Sequence, residues 1–215
     1  MTRDPGRGTA ARALVILSCV LLPGCGVSVA PDPNSDEPYA RYLGALDLAD
    51  RGDDAGVVRL LADPEPLVRS GAVVALARMG RLEYVPQVVD MIFERVDPGE
   101  TESRNDPLVR SDACRALAKL RDVRGVPPMI SALRGDSSVE VRRTAALCLG
   151  AFADQPAALE ALVDAVGDKT VPVAHNAHVV LCRIARRTDL PREKEPWAQW
   201  LKEGAKSGAP GPKPD

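Results

Sequence analysis

One five-residue frame, Pro66-Leu67-Val68-Arg69-Ser70, returns residue for residue at Pro107-Leu108-Val109-Arg110-Ser111, and that return constrains what this chain can fold into. The first copy follows Asp63-Pro64-Glu65, where an aspartate can cap and prolines suit a helix entrance, because first-turn amides have no intrahelical partner. Leu67, Val68, Ala72, Ala75, Leu76 and Met79 then fall three and four apart. This spacing predicts a helix from Asp63 to Gly80 with one broad apolar face and Arg69 at its rim. The second copy continues through Ala113, Ala116, Leu117 and Leu120. A third starts at Asp136, with Val141-Arg142, Ala145, Cys148-Leu149 and Phe152. A worn fourth starts at Asp168, with Val173-Ala174, Ala177, Val180, Leu181 and Ile184.

The arginine position advances by 41 from Arg69 to Arg110, by 32 to Arg142 and by 32 again to Ala174. Periods of this size mean stacked units that bury their faces only against neighbours. Asp, then Val-Arg, then Ala and Ala-Leu at fixed offsets resembles the HEAT repeat over roughly Asp54 to Ile184. The short period is similar to the HEAT-like variant of bacterial proteins and phycobilin lyases. Tetratricopeptide and ankyrin repeats have near periods, but their Trp-Leu-Gly-Tyr and Thr-Pro-Leu-His signatures are missing. The resemblance implies an all-α fold, a right-handed α-solenoid of about four to five HEAT-like helix pairs. It also implies that Arg69, Arg110 and Arg142, with Asp63, Asp106 and Asp136, form a structural ladder between adjacent units. Asp106 lies two residues out of that register.

Composition agrees with close-packed helices: 45% of residues are apolar but only 3% aromatic, so the interior is Ala, Val and Leu. A sandwich or barrel wants more β-branched and aromatic alternation. Formal charge is −2, and removing Met1 to Gly24, with three arginines and one aspartate, leaves −4. That balance does not recruit nucleic acid.

The N-terminus reads as an address. Arg3, Arg7 and Arg12 precede the apolar run Ala13 to Leu22, which is too short to span a bilayer comfortably. Leu22-Pro23-Gly24-Cys25 resembles the bacterial lipobox, and the resemblance implies cleavage after Gly24 and lipid attachment at Cys25. Residues 1–24 are then a signal peptide. Gly26, in place of the aspartate that favours inner-membrane retention, points to the outer membrane or surface. Residues 25–38, with Pro31, Pro33 and Pro38, read as the lipidated cysteine and a flexible tether, able to hold the domain about 40 Å from the lipid.

Residues 39–203 are assigned to the solenoid. Helices are expected over Tyr39 to Ala49 and Ala55 to Leu61, then as second helices of later units over Tyr84 to Phe93, Val126 to Leu133 and Pro156 to Val166. Residues 94–105 are polar and turn-rich and read as an inserted loop. Pro196 is expected to open a last helix whose Trp197, Trp200 and Leu201 close the end of the stack. Residues 204–215 read as a disordered tail.

No set of residues has the spacing of an active site. There is no Gly-rich phosphate loop, no Gly-x-Ser-x-Gly and no His-Glu-x-x-His. His175 and His178 share a helical face but lack an evident third metal ligand. Cys114, Cys148 and Cys182 read as buried free thiols. No cofactor or small-molecule substrate is expected. The second helices carry Arg59, Gln87, Asp90, Ser131, Arg134, Glu160 and Asp164, a mixed set that suits a protein partner on the concave face. The expected function is therefore a non-catalytic, membrane-anchored scaffold of the bacterial envelope. Two alternatives are a bilin lyase or lyase-like chaperone, implied only by the resemblance, and a purely structural envelope component.

Overall fold

The computed structural model describes residues 29–93 and 106–207. Cys25 with its leader, the loop 94–105 and residues 208–215 lie outside the described residues. The described residues form an α-solenoid of ten α-helices, without strands. These are α1 (Pro38–Arg51), α2 (Asp54–Leu60), α3 (Pro66–Met79), α4 (Val85–Asp90) and α5 (Pro107–Leu120). The remainder are α6 (Val126–Gly135), α7 (Val139–Leu149), α8 (Pro156–Val166), α9 (Val171–Ala185) and α10 (Lys194–Ser207).

The odd-numbered helices lie side by side as one layer, each packed on the next from α1 to α9. The even-numbered helices form the second layer: α2 packs on α1 and α3, α4 on α5, α6 on α7, and α8 on α9. At the C-terminal end α8 also packs directly on both α6 and α10. The last helix therefore continues the second layer and closes this end of the stack, with Trp200 and Leu201 packed against the core. Its anchor is Trp197, fully buried in the common core.

An interior helix of the first layer meets neighbours on both flanks as well as below, so its buried surface is wider than an amphipathic stripe. In α3 not only Val68, Ala72, Ala75 and Leu76 but also Ser70, Gly71, Val73 and Ala77 are buried, and Arg69 is buried rather than at a rim. Small residues allow the close flanks. A Cβ on Gly71 would lie 2.6 Å from the Tyr42 ring of α1.

Helix ends depart from expectation where capping chemistry decides them. α3 begins at Pro66, not Asp63, because Asp63 turns its side chain to the Glu65 amide at 2.9 Å and to Arg41. α1 and α3 stop at Gly52 and Gly80, whose φ of 74° and 68° is the left-handed conformation glycine adopts without a Cβ clash. α4 is shorter than expected, ending at Asp90. The assigned tail boundary at 204 falls inside α10. At the other end, residues 32–36, assigned to the tether, are folded onto α1: the Asp32 amide donates to the Ala40 carbonyl at 3.0 Å, and Pro33 lies directly over Gly44.

Candidate interaction surface and the ladder behind it

In three units the short turn before the first helix is held by an arginine of that helix. Arg41 donates from Nη1 to the carbonyls of Ser35 and Asp36 at 2.9 and 3.0 Å. Arg69 does the same to Asp63 and Pro64 at 2.8 and 2.7 Å, and Arg142 to Asp136 at 2.8 Å. The acceptors stand six and five residues upstream, so the arginine position and the turn length are one device. In four of the turns a side-chain oxygen accepts an amide two residues on: Ser35 from Glu37, Asp63 from Glu65, Asp136 from Ser138 and Asp168 from Thr170.

Arginines at this position also reach forward to the next unit. Arg41 grips Asp63 at two points, Nε to Oδ2 at 2.8 Å and Nη2 to Oδ1 at 3.0 Å. Arg110 grips Asp136 in the same way at 2.8 and 2.9 Å. Arg142 reaches Thr170 Oγ1 at 2.9 Å. Paired forks of this kind are directional and strong, since both partners are ionised and the geometry is bidentate. Burial alone would raise the Asp63 carboxyl, but the Arg41 fork, the Glu65 amide and the charges of Arg41 and Arg69 together hold it below the usual carboxylate range.

Of the residues expected to form a ladder, Asp63, Arg110, Asp136 and Arg142 make contacts between units, and Arg69 holds its own turn. Asp106 is the N-cap of α5, accepting the Leu108 amide at 2.8 Å, and the position six before Arg110 is residue 104, outside the described residues. Arg41 supplies a rung that sequence reasoning missed. Its signal was available: Pro38-Tyr39-Ala40-Arg41 repeats the spacing of Pro66-Leu67-Val68-Arg69. A parallel polar row crosses the first layer, from Ser70 to Asp112, then Arg115 at 2.7 Å from Asp112 and 3.6 Å from Glu140.

On the second layer Ser131, Arg134, Glu160 and Asp164 are exposed on the adjacent helices α6 and α8. Arg134 meets Asp164 at 3.4 Å, and Lys194 of α10 meets the same carboxylate at 2.7 Å. The hydrogen bond from Lys194 holds the Asp164 carboxyl below its ordinary value. Lys194 was missed because the last helix was expected to open at Pro196, two residues later. Beside these charges a shallow groove of about 320 Å³ runs between α8 and α10, floored by Val163, Ala198 and Leu201 and rimmed by Glu160 and Lys202. Gln87 and Asp90 are not part of this patch: they sit on α4, which packs on α5 and on the turn Val123–Gly125. Gln87 is half-buried, and its Oε1 has no hydrogen-bond partner among the described residues.

His178 does not join a metal cluster. Its Nδ1 lies 3.2 Å from the Trp197 indole nitrogen and its Nε2 lies 3.5 Å from Cys182 Sγ. Among the described residues no group of three or more ligating side chains can hold a metal ion. Cys114 and Cys148 are buried free thiols, as expected, whereas Cys182 is partly exposed. Burial raises all three, Cys148 to about 11, which keeps them poor nucleophiles. No described helix is long and apolar enough to cross a membrane.

The sequence profile of HEAT repeats matches residues 99–181. Repeats of this family generally serve as protein-interaction scaffolds. Comparison with curated proteins returns no match. Among solved structures, the crystal structure of an engineered protein from the Northeast Structural Genomics Consortium is similar in fold, with a TM-score of 0.51 and 21% sequence identity. The similarity covers 82% of this chain and 94% of that one.

Proposed function

We propose that this chain is a non-catalytic scaffold of the bacterial envelope, lipid-anchored at Cys25 and exposed on the exported side of the membrane, and that it binds a protein partner over the second layer at α6, α8 and α10. The observation that carries the reading is the Arg134, Asp164 and Lys194 chain. It ties three successive second-layer helices into one surface whose exposed groups alternate in charge beside an apolar groove. An extended surface of this kind comes with the stacking of repeats and asks nothing further of the fold. Mixed charge selects a complementary protein by register and disfavours a uniformly charged polymer.

The anchor and the surface are tested separately. Cys25→Ser moves the protein from the membrane fraction to the soluble fraction or leaves an unprocessed precursor, and intact mass shows two or three acyl chains on the wild type, enough for stable attachment. An unmodified Cys25 in the wild type removes the anchor from the proposal. Glu160→Lys combined with Ser131→Glu abolishes capture of the partner from detergent-solubilised envelopes while the helical spectrum is unchanged. Unaltered capture by a folded double variant removes the surface.

A further inference from the structure

We propose that His178 makes α10 an acid-released latch: the neutral ring accepts the buried Trp197 indole N–H and holds the fifth helix pair closed, and protonation of the ring withdraws that acceptor. An indole nitrogen only donates. Trp197 Nε1 shares its proton between the Pro191 carbonyl at 3.1 Å and His178 Nδ1 at 3.2 Å, so Nδ1 must present a lone pair. The proton of the neutral ring then sits on Nε2, facing Cys182 Sγ at 3.5 Å. The imidazole also meets the indole edge to face, with ring centroids 5.6 Å apart, and Trp197 meets Trp200 in the same way.

An imidazolium has no lone pair at Nδ1. Protonation points a second N–H at the indole N–H across 3.2 Å, with no acceptor between them. The charges acting on the ring give it no counter-ion: they are His175, three residues earlier on α9, and Arg192 in the segment before α10. Cys182 is held protonated by burial, and Asp189, whose charge acts on that thiol, is engaged with Arg187 at 2.6 Å. On α8 and α10, Asp164 and Lys194 are paired with each other, and Glu195 acts on Lys194. Burial, then His175 and Arg192, accordingly push His178 below its usual value.

The sign follows from that direction. A histidine whose docked value is depressed stabilises docking fully above the ordinary pKa of about 6.5, and the stabilisation is lost as pH falls through that value toward the docked one. For each unit of depression the closed-to-open ratio falls about tenfold. Opening uncovers Trp197 and the α8 side of the apolar groove, including Val163, which α10 covers when closed.

Both tryptophans of the chain, Trp197 and Trp200, lie on α10, so emission reports the latch without labelling. The full chain, titrated from pH 7.5 to 5, gives a reversible red shift with its midpoint below 6.5. His178→Gln, which retains an acceptor that does not titrate, removes the transition, whereas His175→Gln, which removes one neighbouring positive charge, moves the midpoint upward. An acid transition of the same midpoint and amplitude in His178→Gln, or constant emission across this range in the wild type, overturns the latch. Should His178→Gln fail to fold, proton NMR of the wild-type imidazoles decides: a His178 pKa below that of His175 supports the latch, and one at or above it refutes it.

Discussion

Arg110 of α5 and Asp136 of the turn before α7 form a two-point ion pair in which the arginine side chain is 1% exposed and the aspartate 5%. At that burial neither partner is left with water when the other is removed. Arg110→Ala is expected to cost about 3–5 kcal/mol, because it strands a desolvated carboxylate. Leu117→Ala, a cavity in the same helix, is expected to cost about 2–5 kcal/mol. The ladder thus ranks beside the apolar seams, whereas an exposed arginine row would rank below them. Adding Asp136→Leu to Arg110→Met should recover most of the loss, short of about 1–3 kcal/mol for the orphaned Ser138 amide. Denaturant melts in which Arg110→Ala costs less than 1 kcal/mol contradict the burial of the pair.

Asp63 gives the ladder a pH signature. Its folded pKa lies below the ordinary value of about 3.9, so its contribution is present above that value and is lost as pH falls through the depressed one. Stability measured from pH 6 to 2 is expected to fall less steeply in Asp63→Asn than in the wild type, with the two curves converging at the acid end. Parallel curves would mean that the Arg41 fork does not distinguish the ionised carboxylate.

Gly44 tests whether residues 32–36 belong to the folded body. A Cβ there would lie 2.3 Å from the Pro33 nitrogen and 2.7 Å from the Asp32 carbonyl carbon, both backbone atoms that cannot rotate aside. Gly44→Ala is expected to displace the segment, to cost about 1–3 kcal/mol by overpacking, and to speed hydrogen exchange at the Asp32 amide. Unchanged exchange there would show that the segment does not rest on α1.

The repeat frame made the all-α solenoid legible, because an arginine that must reach carbonyls six and five residues upstream cannot drift relative to its turn. The same reasoning fails where the frame is worn. Thr170 takes over as acceptor in the fifth turn and Ala174 replaces the arginine, so nothing in that unit's motif announces the pairing with Arg142. Arg41 was legible but unread, since Tyr39 and Ala40 replace the Leu-Val of the best copies. The α6, α8 and α10 patch was half legible. Exposed polar residues on second helices follow from periodicity, but which of those helices touch depends on how closely successive units approach in the second layer. That approach is why Arg134, Asp164 and Lys194 meet while Gln87 and Asp90 stay apart from them.

The central claim, that the second layer at α6, α8 and α10 is the partner-binding surface, is tested most directly by site-specific photo-crosslinking in the protein's own cells. A photo-reactive residue is placed at Ser131 or Glu160 on the second layer, or at Leu147, which is 44% exposed on the first-layer helix α7. The account predicts that Ser131 and Glu160 give a crosslinked band containing the same protein and that Leu147 gives none. Crosslinks at Leu147 but at neither second-layer position, or no protein crosslinked from any of the three, would contradict it.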